Sequence, residues 1–501
     1  MMETYFLPPK NIAPQHLFKE VEKYCRKEDV ALINRAYEFA AQAHQGQIRR
    51  NGEPYINHPL SAAYILSKMR IDSNIIAAAL MHDVPEDTNI TLETIEKKFG
   101  ADIAKMVAGI TKLGKLKYRG IERYIENLRK MFVAMAEDIR VMIIKFADRT
   151  HNLLTLDAQP PSKQYRIALE TLEIYAPIAN RLGIAEFKST LEDLSFPYVY
   201  PKDYEKVKTI RDAYVAEESE YLKKIILLSR KELIKAGIKT LEIHGRKKQL
   251  YSLYRKLLQK NWQDNKIYDI SAIRIIVSDL NDCYAVLGVI HKNWPPMKGR
   301  IKDYISQPKP NGYKSLHTTV FCEDGRIVEF QIRTWAMHEE AEYGIAAHWH
   351  YDEHGVVKIQ KKDISWAKEL AKMQKDVLNN LSDLEEMKID FFQNRIFVLT
   401  PSGDVIDLPE DATAIDFAYS IHTEIGHKGV GAMINEQMSR LETPLKNGDV
   451  VEILVDKKRK GPNPDWLKIV KTNVAKSSIK SALNINKKHW LKSIIPAKKG
   501  K

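Results

Sequence analysis

The stretch R-I-K-D-Y-I-S-Q-P-K-P-N-G-Y-K-S-L-H runs from Arg300 to His317 and decides how the middle of this chain is read. It sets Arg300, Lys302, Lys309 and Lys314 against a single acid, Asp303, with Tyr304 and Tyr313 among them. Lysine amines bind phosphate as point charges, and aromatic rings stack on bases. The P-K-P-N-G segment supplies turn residues that aim these groups. The chemistry points to a pocket for a phosphorylated nucleotide. A solvated basic loop has a similar composition, but not this order of residues.

Working outward, I-S-A-I-R-I-I-V, S-L-H-T-T-V-F and R-I-V-E-F-Q-I-R-T read as strands. In the last, Val328, Phe330 and Ile332 share one face and Glu329, Gln331 and Arg333 the other. Upstream, K-K-Q-L-Y-S-L-Y-R-K-L-L-Q-K is an amphipathic helix. Lys248, Ser252 and Lys256 fall on it at four-residue intervals after Arg246, a clamp suited to a triphosphate. Asp269 and Glu329, reached from separate strands, suit Mg2+ binding and deprotonation of a hydroxyl. Asp269 and Arg274 differ by an odd number, so one straight strand would face them oppositely; the spacing predicts that Asp269 precedes the strand or that a bulge intervenes.

The first two hundred residues are helical in pattern. S-N-I-I-A-A-A-L-M-H-D is rich in helix formers, and T-L-E-T-I-E-K-K-F-G runs from a Thr91 cap to a Gly100 stop. His58, His82, Asp83 and Asp148 combine imidazole and carboxylate, a donor set suited to Mn2+ or Fe2+. Glu86 and Asp87 follow closely and could handle an attacking water. His151 and Asn152 share the helix face of Asp148. Core histidines and helix-capping acids would give the same residues without a metal. Pro85 predicts a helix end at the metal ligands, because proline disfavours helical geometry at Val84.

The chain has 501 residues, which predicts about three domains. No apolar run approaches a membrane span, and the start M-M-E-T-Y-F-L-P-P-K lacks signal-peptide order. Cys25, Cys283 and Cys322 show no paired spacing and read as buried residues of a reducing cytoplasm. Of the net charge of +13, the segment from Asp456 to Lys501 carries +12, so the body is nearly neutral. That basic tail suits RNA contact or a solvated linker equally.

Three sets of residues carry a family resemblance. R-R-N-G-E-P-Y-I-N-H-P, H-D-V-P-E-D-T, A-D-R-T-H-N and E-T-L-E-I-Y-A-P-I-A-N-R-L-G-I resemble the HD-type hydrolase domain of the bifunctional Rel/SpoT (p)ppGpp synthetase–hydrolases. G-R-K-K-Q-L-Y-S-L-Y-R-K, Y-D-I-S-A-I-R, the 300–317 stretch, E-F-Q-I-R-T and H-E-E-A-E-Y-G-I-A-A-H-W resemble their synthetase domain. D-F-A-Y-S-I-H-T-E-I-G-H-K-G-V-G-A resembles their TGS domain, and P-D-W-L-K-I-V-K-T matches just after it. The basic R-I-K-D form is that of the bifunctional members, whereas synthetase-only relatives carry an acidic version.

The resemblance implies a multidomain chain: an all-α HD-type hydrolase at 1–200, connecting helices at 201–240, an α/β nucleotidyltransferase-like synthetase with a mixed sheet at 241–350, a helical linker at 351–390, a small α+β, β-grasp-like TGS domain at 391–455 and a basic tail at 456–501. The further helical, zinc-binding and ACT-like modules of long members are missing from this sequence. It implies transfer of pyrophosphate from ATP to the 3′-hydroxyl of GDP or GTP, and hydrolysis of (p)ppGpp, in the cytoplasm.

In the hydrolase, His58, His82, Asp83 and Asp148 would bind Mn2+, with Glu86 and Asp87 handling water. Arg49 would neutralise phosphate, and Arg50, Asn152 and Thr155 would surround the guanosine. In the synthetase, Asp269 would hold Mg2+, and Glu329 would assist it or act as base. Arg246, Lys248 and Lys256 would hold ATP, Arg274 would stack on adenine and Tyr313 on guanine, and Lys302, Lys309, Asn311 and His317 would hold the acceptor. His422 would contact uncharged tRNA on the ribosome. Two other readings stay open: a synthetase with an impaired hydrolase site, because of Pro85, and a ribosome- or tRNA-binding regulator with relic sites.

Overall fold

The computed structural model describes residues 6–114, 131–263 apart from 132 and 136, 271–309, 312–349, 395–402, 405–446, 448–459 and 461–483. Asp269, Asn311 and the segment expected as a linker at 351–390 lie outside them. The chain divides into two compact units, Met1–Asp376 and Val377–Lys501.

The first unit begins with helices α1 (Pro14–Val21), α2 (Lys27–Ala43), α3 (Asn57–Lys68), α4 (Ser73–Leu80), α5 (Val84–Asp87), α6 (Leu92–Phe99), α7 (Ala101–Gly114) and α8 (Arg140–Leu154). The Thr91 hydroxyl caps α6 and Gly100 stops it at φ +93°, as the sequence predicts. The expected effect of Pro85 is corrected. Helix α4 already ends at Leu80, and Pro85 lies at the start of α5, where a missing N–H costs nothing. The chain continues through α9 (Pro161–Glu170), a π-helical turn at Thr171–Tyr175, α10 (Ala176–Arg181), α11 (Ala185–Val199) and the 35-residue α12 (Pro201–Lys235).

A mixed five-stranded sheet follows, built from β1 (Thr240–Lys247), β2 (Ser271–Val277), β3 (Lys302–Asp303), β4 (Leu316–Phe321) and β5 (Ile327–Thr334) in the order β1-β2-β5-β4-β3. Helix α13 (Leu250–Gln259) lies between β1 and β2, α14 (Leu280–Asn293) between β2 and β3, and α15 (Trp335–Tyr343) after β5. The β2–β5 pair is parallel and the others antiparallel. Ile273, Ile275, Leu316, Val320, Val328, Phe330 and Ile332 form one sheet face and bury against Ile225 and Leu233 of α12 and Cys283, Val286 and Ile290 of α14. The alternation of β5 therefore holds: its apolar side is core, and Glu329, Gln331 and Arg333 turn the other way. Lys248 does not share a helix face with Lys256, because α13 starts only at Leu250.

The second unit is small and α+β: hairpin β6 (Arg395–Leu399) and β7 (Val405–Pro409), helices α16 (Ala414–Ile421) and α17 (Thr423–Lys428), and a sheet of β8 (Gly429–Ile434), β9 (Gln437–Ser439) and β10 (Val451–Val455). The described part of the basic tail, which reaches residue 483, is not a wholly solvated linker, one of its two readings. Trp466, Val470, Ala475 and Ile479, the last two on α18 (Asn473–Ala482), bury in the same core as Phe417 and Val451. The fully buried Asp416 carboxylate accepts from the backbone N–H groups of Thr413, Lys471 and Thr472, which fastens this segment to α16. Among the described residues, no helix is long and apolar enough to cross a membrane.

The helical and sheet parts of the first unit meet at Gly344, whose φ is +51°. A Cβ there would press into the Leu182 carbonyl oxygen and the Gly183 backbone, and the next residue, Ile345, donates its N–H to that same carbonyl at 3.0 Å. Gly344→Ala is expected to destabilise the first unit by about 1–3 kcal/mol from backbone conformation alone, before the clash is counted. Urea unfolding of the two proteins, read from the displacement of the midpoint, checks this.

Candidate functional site

Two polar sites lie within the first unit. The first collects side chains from α3, α4–α5 and α8. The Nδ1–H of buried His82 donates to the Ala79 carbonyl oxygen at 2.7 Å, so its Nε2 carries a lone pair. That Nε2 is buried without a hydrogen-bond partner. It lies 3.1 Å from Asp83 Oδ1 and 4.0 Å from Asp148 Oδ1, while His58 Nε2 lies 3.1 Å from Asp148 Oδ1 and 3.5 Å from Asp83 Oδ2. The His82 lone pair facing carboxylate oxygens is repulsive unless a positive charge lies between them, whereas His58 hydrogen-bonds Asp148. His58, His82 and Asp148 offer ligand atoms that all lie within 4.8 Å of one another, so this donor set fits a metal ion.

Neighbours missed by the sequence reading shape this centre. The Tyr55 hydroxyl reaches Asp83 Oδ2 at 2.9 Å and Asp87 Oδ2 at 2.6 Å. Lys145 Nζ lies 2.7 Å from Asp148 Oδ2. Burial alone would raise the Asp148 carboxyl, but Lys145, His58 and His82 hold it well below the usual range. His151 Nδ1 meets His58 Nδ1 at 2.8 Å. Arg49 draws together His151, Thr155 and Asn152 at 3.2, 3.2 and 2.9 Å, and Asn152 in turn donates to Asp148 at 2.6 Å. Arg49, Asn152 and Thr155 are thus one hydrogen-bonded group beside the candidate metal-binding group. Glu86, Asp87 and Arg50 are exposed at the surface. Tyr55 stands within the quoted motif E-P-Y-I-N-H-P, but nothing in its spacing announces a partner 28 or 32 residues away.

The second site occupies the sheet face opposite the apolar core. A chain of hydrogen bonds crosses it: Arg246 to Gln331 at 3.1 Å, Gln331 to Glu329 at 2.9 Å, His317 Nδ1 with Glu329 at 3.1 Å, and Tyr313 with His317 Nε2 at 2.8 Å. Ionised Glu329 can only accept, so His317 donates from Nδ1 and its Nε2 takes the tyrosine proton. Burial keeps His317 below the ordinary imidazole value, which suits this neutral form. Tyr304 packs edge-on against Tyr313, with ring centres 6.0 Å apart, and Lys309 places its amine 4.6 and 4.9 Å from the two ring centres. Asp303, the lone acid of the loop, accepts from Ile305 N–H, Ser306 N–H and the Tyr284 hydroxyl, and so shapes the turn. Gly312 closes the next turn at φ +78°. Lys302 is exposed on β3 and paired in register with His317.

At the β1 side, Arg274 and Arg333 converge on Glu342 of α15 at 3.0 and 2.7 Å. Their Nε atoms are buried without partners. Burial lowers Arg274 to about 10, despite Glu342. Burial would raise Glu342, but Arg274, Arg333 and Arg246 hold it at about 2. Glu342 and Arg333 escaped the sequence reading as site residues, because the acid that pairs with Arg274 stands 68 positions downstream. Lys248 precedes α13 and Lys256 lies within it. In the second unit, exposed His422 uses Nδ1 to accept the Glu424 N–H at 3.2 Å and caps α17.

Comparison with known proteins matches the HD domain to residues 36–185, the region found in RelA / SpoT proteins to residues 245–356 and the TGS domain to residues 396–455. The GTP pyrophosphokinase of Myxococcus xanthus is 43% identical over 96% of this chain and 64% of its own length. The guanosine-3′,5′-bis(diphosphate) 3′-pyrophosphohydrolase of Aquifex aeolicus is 46% identical over 90% of this chain and 64% of its own length. The bifunctional (p)ppGpp synthase/hydrolase SpoT of Escherichia coli is 43% identical over 92% of this chain and 66% of its own length. The chain therefore spans about two thirds of the length of these relatives, and slightly less in each case.

Lys309 gives the second site a pH signature. Burial, reinforced by Lys302, Lys188 and Arg246, lowers its amine to about 8. Its charge is present below that pH and lost above it, and a bound phosphate favours the charged form. The affinity for a nucleoside diphosphate is therefore expected to fall by up to about tenfold per pH unit above about 8. Lys309→Met should flatten that limb. Calorimetric titrations of both proteins between about pH 7 and 9.5 check it.

Proposed function

We propose that this chain, which belongs to the RelA/SpoT family by its three domains and its relatives, both makes and degrades (p)ppGpp. The observation that carries the reading is the presence, in one compact unit, of a lone-pair-rich centre suited to a cation and a cationic sheet face suited to nucleotide phosphates.

In the hydrolase half, His58, His82, Asp83 and Asp148 would hold a divalent cation, proposed as Mn2+. Such an ion, when bound, polarises a phosphoryl oxygen and lowers the pKa of water. Glu86 takes the proton of the attacking water, and Asp87, fixed by Tyr55, orients it. Arg49 and Arg50 neutralise the 3′-pyrophosphate. As Arg49 turns to phosphate it releases Asn152 and Thr155, which then hydrogen-bond the guanosine. The products are GDP or GTP and pyrophosphate.

In the synthetase half, the 3′-hydroxyl oxygen of GDP or GTP attacks the β-phosphorus of ATP, the bond to the α-phosphate oxygen breaks, and AMP leaves. Positioning and charge neutralisation do most of this work. Arg246, Lys248 and Lys256 hold the triphosphate, and Arg274, steadied by Glu342, lies against adenine. Tyr313 stacks on guanine, while Lys302, Lys309, Asn311 and His317 hold the acceptor. Glu329 takes the hydroxyl proton or shares with Asp269 the binding of a divalent cation, proposed as Mg2+. That ion would neutralise charge on the transferred phosphates. The proposed setting is the cytoplasm, with His422 of the second unit contacting uncharged tRNA on the ribosome.

Purified protein is expected to form (p)ppGpp from ATP and GDP or GTP with Mg2+, and to release pyrophosphate from (p)ppGpp with Mn2+. Absence of both activities in folded protein would sink the reading. His82→Ala and Asp83→Ala should abolish Mn2+-dependent hydrolysis and leave synthesis intact; unchanged hydrolysis would remove the proposed metal site. Tyr313→Ala should weaken acceptor binding by about 1–3 kcal/mol, the worth of one stacked base, and an unaltered KM for GTP would contradict the stacking role.

A further inference from the structure

Helix α11 arises in the helical half, yet it grips the synthetase half. The Asp193 carboxylate, 2% exposed, accepts the Tyr251 N–H on Oδ1 at 2.9 Å and the Leu250 N–H on Oδ2 at 3.1 Å. These are the first two amides of α13. A helix leaves its first N–H groups without intrahelical partners, and free ones attract phosphate. Here a carboxylate from another helix has taken them, so the start of α13 acts as an anchor and phosphate contact falls to lysine side chains.

The anchor sits inside an aromatic seat. Phe196, one turn along α11 from Asp193, packs against Tyr251 and Tyr254 of α13 with ring centres 5.3 and 4.9 Å apart. Tyr254 also donates its hydroxyl to Asp203 of α12 at 3.1 Å. Two carboxylates and one phenylalanine from the preceding helices therefore fix the position and rotation of α13. Lys248 stands two residues before its first turn and Lys256 on its second, so both inherit that placement.

We infer that Asp193 is a positioning residue for nucleotide binding in the synthesis site: it holds α13, and through α13 the phosphate contacts Lys248 and Lys256. The inference rests on the proposed use of these lysines for ATP. It does not depend on turnover.

Binding of a non-hydrolysable ATP analogue to the whole chain is the test, with KM values for ATP and GTP as a second readout. Asp193→Asn removes the charge and turns one N–H donor toward another, so analogue affinity should drop about tenfold or more. KM for ATP should rise alike, while KM for GTP and Mn2+-dependent hydrolysis stay at wild-type levels. In the Lys256→Ala background the same substitution should add less than it does alone, because part of its effect passes through Lys256. Asp193→Glu should recover part of the affinity.

Equal losses for ATP and GTP, full additivity with Lys256→Ala, or an unchanged analogue affinity would each overturn the role. If Asp193→Asn does not fold, Asp193→Ser, whose hydroxyl still accepts one N–H, carries the same comparison. A wild-type chain that binds the analogue without turnover refutes the proposed activity and leaves the Asp193 test in force. A wild-type chain that binds no analogue overturns both.

Discussion

Helix α11 is the constraint on which both sites of the first unit depend. Its Phe187 packs against Phe146, with ring centres 5.4 Å apart, on the helix that carries Asp148, Asn152 and the start of the Thr155 turn. Its Phe196 packs against the aromatic residues of α13. Buried groups at Thr190, Leu191, Glu192, Asp193 and Ser195 fill the interval. One helix thus presents a hydrophobic anchor to α8 at its start and an anchor to α13 at its end. A close-packed interior transmits displacement because it has no slack to absorb it. Rigid placement of α11 is therefore a shared requirement of two constellations whose side chains never mix.

The sheet face shows how a strongly charged surface can still fold. Arg274 and Arg333 are both buried, and breaking a buried ion pair is far more costly than forming one is beneficial. Glu342 supplies the shared counter-charge, and the Arg246–Gln331–Glu329–His317–Tyr313 sequence of hydrogen bonds satisfies the rest of the face. What stays unsatisfied is informative: the Nε atoms of both arginines are buried donors without acceptors. A group with acceptor oxygens or nitrogens would complete them.

Much of this was legible in the sequence, and the rest was not for a physical reason. The strand of Glu329, Gln331 and Arg333 declared its polar face by alternation, since side chains on a strand repeat every two residues. The Thr91 cap and Gly100 stop were equally local. Helix α13 was visible, but its start was not, because that start is set by Asp193 some 57 residues upstream and not by the residues next to Lys248. Pro85 does not break the helix before His82, because that helix ends earlier, at Leu80, and the proline begins the next one. The tail misled through its charge. Its lysines are spread over 46 residues, while Trp466, Val470 and Ile479 among them join the core of the second unit. Features within a turn or a strand can be read from spacing; partners across tens of residues require the fold.

The two sites are opposite in what they lack. Around His82, a fixed tautomer points a lone pair at carboxylates, and only a positive charge removes that repulsion. Tyr55 and Lys145 reduce the excess from the side by donating to Asp83, Asp87 and Asp148. On the sheet face, Arg246, Arg274, Arg333 and Lys309 surround the acids Glu342 and Glu329, and burial lowers Lys309 to about 8 and Arg274 to about 10. A phosphate group brought to that face would favour the charged form of Lys309, so binding and protonation would reinforce each other. The difference in sign, set by buried residues in one packed unit, gives one body a centre suited to a cation and a face suited to an anion.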